Sequence, residues 1–312
     1  MSWRATFLLL AVLSLAAAKY RRYDGHRVYR VVPSKGHHLD LLNKLAHENK
    51  KEITFWKAAY VTNKPADVMV SPQVKNSFLA ALKKNGVKYS VLVEDVQKLI
   101  DKQRPTGAAG GKFSWDDYYP LEDVYKWIKS LPAKYPGIVT TVVGGYSYEN
   151  REIVGVNISF GTNRPIVVLE GTIHAREWIS TAAVTWMLNQ ILTSTNSTVR
   201  SIVDQFNYYI LPVYNPDGYK YTFTDDRMWR KTLQPHLPCM GADPNRNWDH
   251  RWSEEGASNN PCDGKYHGPR AFSEIEIRTV SKFLASLGRD LQLYMAFHSY
   301  SQLLMYPYGS FP

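Results

Sequence analysis

The stretch Ile166-Val167-Val168-Leu169 leads within a few residues into Gly171-Thr172-Ile173-His174-Ala175-Arg176-Glu177-Trp178, and this junction limits the folds open to the chain. The first four residues are apolar and mostly β-branched, with Pro165 opening them, so they read as a buried strand. Thr181-Ala182-Ala183-Val184-Thr185-Trp186-Met187-Leu188 reads as a helix that continues through Ile191 and Leu192. His174, Arg176 and Glu177 therefore sit in a strand-to-helix loop. In open α/β sheets such loops, at the carboxyl ends of strands, are where ligands bind.

A His and a Glu three residues apart at a helix start share one side of the first turn and can face one ion. Zinc takes imidazole nitrogen and carboxylate oxygen, and a catalytic zinc keeps one position open for water. Alone, His-x-x-Glu is equally the pattern of a capping Glu beside an ordinary polar His. A third ligand is needed. Leu291-Gln292-Leu293-Tyr294-Met295-Ala296-Phe297 reads as another buried strand and ends at His298-Ser299-Tyr300. A His at a strand's carboxyl end fits the same crevice, though by itself it also fits a hydrogen-bonded core histidine.

Four motifs occur in order: His174-Ala175-Arg176-Glu177-Trp178, Arg227-Met228-Trp229-Arg230-Lys231, Asn245-Arg246-Asn247-Trp248 and His298-Ser299-Tyr300-Ser301-Gln302. Together they resemble the zinc metallocarboxypeptidases of the pancreatic A/B type, in zymogen form, over nearly the whole chain after its leader. The resemblance implies one zinc ion held by His174, Glu177 and His298. That ligand set is the one carboxypeptidase A uses. It further implies that Asn245 and Arg246 bind a substrate's terminal carboxylate, and that Arg230 polarises the scissile carbonyl. Arg176, Ser299 and Tyr300 would line the peptide cleft. Arginine suits these tasks because its planar fork pairs bidentately with a carboxylate and stays charged. The bland alternative for each Arg is a surface salt bridge.

The same resemblance implies a further stretch beyond the position of Pro312. That stretch would supply a glutamate general base, a mobile tyrosine and most of the pocket that selects apolar or basic C-terminal residues. The expectation is a piece of a longer exopeptidase that hydrolyses C-terminal peptide bonds, digestive in role. The alternative is a non-catalytic zinc- or peptide-binding relative that lacks the base.

Residues 1–18 read as a secretory signal peptide: Arg4, an apolar run from Phe7 to Leu13, and a small-residue site at Ala16-Ala17-Ala18. The run is shorter than the roughly 20 apolar residues a membrane span needs. A secreted monomer with no membrane or nucleic-acid partner is expected. The formal net charge of +10 does not alter this, because residues 19–112 hold 19 basic and 8 acidic side chains while residues 113–312 hold 18 and 20. The excess lies before the catalytic region and is scattered, as on a solvated surface.

Residues 19–104 read as a small α/β domain, which the resemblance identifies as an open-sandwich activation segment covering the cleft. Strands are expected at Arg27 to Val32, Ile53 to Trp56, Val68 to Val70 and Tyr89 to Val93. Helices are expected around Leu39 to Ala46, from a Ser71 cap with Pro72 at the first position to Asn85-Gly86, and from Asp95 to Lys102. Residues 105–112 are small and Gly-rich, a linker open to a trypsin-like activating protease, with cleavage favoured after Lys112.

Residues 113–312 read as the catalytic domain. It opens with a helix from Pro120, continues with strands at Val139 to Val143, Ile153 to Ile158 and Asn207 to Pro212, and has a helix from Ser273 to Leu287. Ser273 and Glu276 would form a capping box and Gly288 would end that helix. Alternating strands and helices give an α/β class: a mixed, mostly parallel twisted sheet with helices on both faces. Cys239 and Cys262, the two cysteines, follow a secretion signal and are expected to pair. Asn157-Ile158-Ser159 and Asn196-Ser197-Thr198 are glycosylation sequons, the first in a strand and the second in a polar loop.

Overall fold

The computed structural model describes residues 20–104, 113–254, 256–301 and 303–306. The leader at 1–18 and the linker at 105–112 lie outside the described residues.

The first domain contains β1 (Arg27–Val32), α1 (Gly36–Glu48), β2 (Ile53–Lys57), β3 (Ala66–Val70), α2 (Lys75–Lys84), β4 (Lys88–Val93) and α3 (Val96–Gln103). Its four strands are antiparallel in the order β2-β3-β1-β4. Strand alternation sorts the side chains between two faces. Tyr29, Val31, Val68 and Val70 pack with Leu42 of α1 and Phe78 and Leu82 of α2. Val28 and Met69 point the other way, to Tyr23, to Val96 and Ile100 of α3, and to Met228 of the second domain. Every residue of β3 is buried because both faces are covered.

One expected boundary moves. The second helix starts at Lys75, not after a Ser71 cap. The Ser71 N–H is already committed to Glu52 O at 2.9 Å, which extends the β2–β3 ladder by one rung. Residues 72–74 turn before the helix begins. Asp95 does cap α3, accepting from Lys98 N.

The second domain contains α4 (Leu121–Lys134), β5 (Val139–Tyr146), β6 (Glu152–Ile158), β7 (Ile166–Gly171), α5 (Trp178–Thr193), α6 (Ser197–Val203), β8 (Asn207–Leu211) and α7 (Pro216–Thr224). A short hairpin, β9 (Pro235–His236) and β10 (Cys239–Met240), precedes α8 (Ile275–Ser286) and β11 (Leu291–Phe297). The sheet order is β11-β7-β8-β6-β5. It is mixed: β7 runs parallel to both β8 and β11, while β6 pairs antiparallel with β8 and β5. Helices cover both faces. Ile128 of α4 and Val184 and Leu188 of α5 meet Val154, Val156, Leu169 and Ile210 on one face. Ile277 and Val280 of α8 meet Ile153 and Leu211 on the other.

Two readings of this domain need correction. Residues 291–297 do form a strand, but not a buried one: Leu293 is 47% exposed and Tyr294 37%. Among the described residues β11 is an edge strand with β7 as its partner, so its outer flank faces solvent. The capping box at Ser273 does not form either. Ser273 Oγ accepts from Asn247 Nδ2 and donates to Glu274, while Glu276 accepts from Tyr148 N. Tertiary partners have claimed both side chains, and Glu274 becomes the N-cap residue. The Cys239–Cys262 disulfide is formed, with Cα atoms 5.2 Å apart.

Candidate metal centre and substrate cleft

The loop between β7 and α5 is held from several sides. Gly171 has no room for a side chain: a Cβ there would lie 2.9 Å from the carbonyl oxygens of Pro212 and Ser180. Thr172 follows with φ +54°, a left-handed conformation that is costly for a β-branched residue. Surrounding bonds over-determine it. Its N–H donates to Ser180 Oγ at 2.8 Å, and Asn215 N donates to its carbonyl at 3.2 Å. The Ala175 N–H donates to Arg230 O at 3.1 Å, which ties this loop to the one after α7.

His174 emerges from that loop 3% exposed, and Glu177 5% exposed. His298, just past the end of β11, comes alongside because β11 and β7 are parallel neighbours whose carboxyl ends coincide. His174 Nδ1 lies 2.9 Å from Glu177 Oε1, and His298 Nδ1 lies 3.1 Å from both Glu177 Oε2 and His174 Nδ1. One ligand atom from each of the three falls within 4.8 Å of the others. Burial alone would raise the Glu177 carboxyl, but hydrogen bonds from His174 and His298 outweigh it and hold the acid well below the usual carboxylate range.

Asp243, which the sequence reading did not single out, completes the centre. It is fully buried, and Oδ1 accepts from His174 Nε2 at 3.0 Å. Oδ2 accepts from Arg230 Nε at 3.1 Å and Nη2 at 2.8 Å. Burial would raise this carboxyl too, yet Arg230 and His174 hold it far below its ordinary value. A carboxylate on one imidazole nitrogen fixes the proton there and leaves the other nitrogen's lone pair free. With Asp243 behind Nε2, His174 Nδ1 faces another imidazole nitrogen and a carboxylate. Two nitrogens and a carboxylate converging in this way form a set that zinc accepts. The rule that metal-binding histidines keep a carboxylate behind them was the available signal for Asp243, two residues before Asn245.

Arg230 also approaches Glu177, with Nη1 3.6 Å from Oε1. Arg176 lies close enough that burial, and then the charge of Arg230, push its guanidinium down to about 10. Asp243 begins a 3-10 turn, Pro244–Arg246, and Oδ1 accepts from Asn245 N. Arg246 Nε donates to Gly256 O at 3.1 Å and Nη1 to Asn245 O at 2.9 Å. Both partners are neutral carbonyls, which leave its charge available for an anion. Asn247 is buried and locks the turn, its Nδ2 reaching His267 O, Arg270 O and Ser273 Oγ.

The Ser299 N–H donates to Glu177 Oε2 at 3.0 Å, so His298 and Ser299 grip the same carboxylate. The Ser299–Tyr300 peptide bond is cis. Tyr300 does not face an open cleft. Its hydroxyl donates to Asp67 Oδ2 of the first domain at 2.6 Å, and Asp67 is in turn held bidentately by Arg30. The first domain therefore sits against a residue that the sequence reading assigned to substrate binding. The structure brings His174, Arg176, Glu177, Arg230, His298 and Ser299 together, with Asn245 and Arg246 reached through Asp243.

Comparison with known proteins agrees with this geometry. Residues 124–312 match the family described as zinc carboxypeptidase, and residues 29–103 match the carboxypeptidase activation peptide. The chain is 43% identical to zinc carboxypeptidase A 1 of Anopheles gambiae, over 98% of this chain and 72% of that protein. It is 36% identical to carboxypeptidase A2 of Rattus norvegicus, over 98% of this chain and 75% of that one. The crystal structure of carboxypeptidase A from Helicoverpa armigera superposes with a TM-score of 0.78 at 30% identity, covering 89% of this chain and 71% of that one.

Proposed function

The chain belongs to the zinc carboxypeptidases and carries their activation peptide, and from that premise we propose a secreted exopeptidase zymogen that removes C-terminal residues from peptides. The observation that carries this reading is Asp243, one buried carboxylate that holds both a metal-facing histidine and an arginine.

His174, Glu177 and His298 would hold the zinc. When bound, it would lower the pKa of a coordinated water from about 15.7 towards about 7 and polarise a carbonyl. The chain's own residues do the rest. Arg246 and Asn245 take the substrate's terminal carboxylate, and the guanidinium fork fixes its direction as well as its charge. Arg230, steered by Asp243, offers hydrogen bonds where negative charge develops on the scissile carbonyl. Arg176, Ser299 and Tyr300 line the side on which the rest of the peptide lies. In the zymogen Asp67 occupies Tyr300, which supports the first domain as the inhibitor. The signal-like leader supports secretion, and the setting we propose is digestive. The Gly-rich linker ending in Lys112 supports release by a trypsin-like protease. The enzyme would act as a monomer.

The test is metal content. Purified folded protein should carry about one zinc per chain, as the ligand set implies. A His174→Ala, Glu177→Ala double variant should carry almost none. Full zinc content in that variant, with its fold intact by circular dichroism, would remove the basis of the assignment.

A further inference from the structure

Along the sequence the basic residues of the first domain are scattered, but the fold gathers five of them at one end of it. Four segments meet there. Val32, the last residue of β1, pairs with Lys88 of β4. Asn63, between β2 and β3, donates its N–H to Pro33 O at 2.7 Å. His38, in the first turn of α1, reaches the backbone of Asn85, just past the end of α2. These contacts bring together Lys35 before α1, Lys64 before β3, Lys83 and Lys84 in the last turn of α2, and Lys88 at the start of β4. All five are exposed.

Few acids stand near them. The first turn of α1, the whole of α2 and the segments 58–66 and 85–93 contain no Asp or Glu. Asp40 stands in the second turn of α1, Asp67 is buried against Arg30, and Glu94, past the other end of β4, pairs with Arg27. Lys44, further along α1, shows the ordinary arrangement, with Glu48 four residues on and 3.9 Å away. Lys35 is the least expected of the five. It is the N-cap residue of α1, where a cation meets the positive end of the helix dipole, and its side chain caps nothing. Lys83 and Lys84 offset the negative end of α2. Lys35, Lys64 and Lys88 have no such local reason. Like charges gathered in this way repel one another, and an external polyanion turns that cost into attraction.

We propose that this end of the first domain is a binding surface for a linear sulfated polysaccharide, which retains the uncleaved chain on an extracellular matrix. Sulfate esters stay charged at any pH a folded protein tolerates. Lysine ammonium groups suit them, because they are compact point charges on flexible stems and need no planar partner. The choice of a polysaccharide over a nucleic acid rests on the secreted reading. The surface belongs to the first domain alone, since residues 113–312 hold 18 basic and 20 acidic side chains and offer a polyanion no net attraction. Binding there needs neither metal nor peptidase activity.

The probe is heparin, titrated into the full, uncut chain. At about 0.1 M salt charges about 10 Å apart still interact, and at about 1 M that range falls to about 3 Å. Binding should be measurable in the first condition and lost in the second. The triple variant Lys83→Ala, Lys84→Ala, Lys88→Ala should bind about ten-fold more weakly, three charges at the scale of exposed pairs. Lys35→Ala with Lys64→Ala, on the other two segments, should cost about five-fold and carries the test if the triple variant does not fold, which thermal unfolding checks. The control removes three charges elsewhere: Lys98→Ala, Lys102→Ala and Lys126→Ala, on α3 and α4, should change affinity by less than about two-fold. Desulfated heparin should bind at least about ten-fold more weakly than heparin. Equal losses in the two triple variants would reduce the effect to net charge and overturn the inference, and so would a wild-type chain that ignores heparin at 0.1 M salt. Undiminished binding of desulfated heparin, or tighter binding of duplex DNA than of heparin, overturns the partner proposed. Because the readout is binding alone, failure here is distinct from failure of the zinc or peptidase reading.

Discussion

Asp243→Asn isolates what the buried carboxylate does for the metal centre. Four N–H groups converge on it: His174 Nε2 at 3.0 Å, Asn245 N at 3.0 Å, and Arg230 Nε and Nη2 at 3.1 and 2.8 Å. An asparagine can keep its oxygen towards His174 and Asn245. Its amide nitrogen then faces the guanidinium of Arg230, donor against donor, and the charge that strengthened the His174 bond is gone. Removing the carboxylate behind a metal-bound histidine typically costs about 10- to 100-fold in affinity, or roughly 1.4–2.7 kcal/mol. Breaking a fully buried ion pair costs about 3–5 kcal/mol of fold stability. Arg230 is 22% exposed and can turn partly to water, so the lower end is expected here. Competition for zinc against a chromophoric chelator at neutral pH reads the first quantity, and denaturant unfolding the second. Arg230→Met is the companion variant: it removes the arginine half of the arrangement but keeps the carboxylate behind His174, so its loss of zinc affinity should be smaller than that of Asp243→Asn. A zinc affinity in folded Asp243→Asn within two-fold of wild type would falsify the claim that Asp243 tunes His174.

Three further outcomes follow from named contacts. Arg246→Ala should lower kcat/KM on free-acid peptides by about 30-fold or more, the cost of losing one member of a desolvated charge pair of about 2–5 kcal/mol, while C-terminally amidated peptides should barely distinguish the two proteins; equal loss on both substrates would assign Arg246 to the fold. Burial tends to raise the Asp67 carboxyl, but bonds from Arg30 and Tyr300 overcome this and lower it, so its contribution is present above the unfolded value of about 3.9 and fades as pH falls through the lower folded value. The stability gap between wild type and Asp67→Asn should therefore be constant from pH 6 to about pH 5 and shrink below about pH 4, and a gap independent of pH across that range would rule this out. Asn196 caps α6 by accepting from Thr198 N and Val199 N with Oδ1 alone, which leaves Nδ2 free for a glycan without loss of the cap; secreted protein should lose one glycan's mass with an endoglycosidase, and Asn196→Gln should abolish that shift while an Asn157→Gln variant should not.

The local parts of this architecture were legible in the sequence. β7, its loop and α5 follow from a β-branched run, a glycine and a helical period, all within thirty residues of one another. The same holds for Asp95 at the start of α3 and Asn85-Gly86 at the end of α2. What escaped was decided by distant partners. Ser71 looks like a cap, but strand pairing with Glu52 carries on to it and the helix starts only at Lys75, while Ser273 looks like one until Asn247 arrives from 26 residues away. The apolar alternation of residues 291–297 predicts a strand but carries no information about what lies beside it, so β11 was read as buried. Asp243 is 69 residues from His174, and Tyr300 is 233 residues from Asp67. No local pattern ties such pairs, although a carboxylate behind a suspected metal histidine could have been sought. The candidate metal residues were visible because they follow the ends of two strands, His174 and Glu177 after β7 and His298 after β11.

The disulfide has a consequence for how the two halves of the active centre come into being. Between Cys239 and Cys262 lie Asp243, Asn245, Arg246 and Asn247, whereas His174, Glu177 and Arg230 precede it and His298 follows it. The bond therefore closes a ring around the anion-reading residues and Asp243, and around none of the three metal-facing side chains. A chain made in a reducing cytosol would still assemble β7, β8 and β11 and bring its three metal-facing side chains together. Its segment from 240 to 261, with little helix or strand among the described residues, would lose a cross-link that stabilises the fold by roughly 3 kcal/mol through the entropy it removes from the unfolded chain. Such a protein would collect metal, more weakly for want of a settled Asp243, yet greet a peptide's terminus with a wandering Arg246. A recombinant preparation made without an oxidant should therefore still assay for zinc while binding substrate poorly.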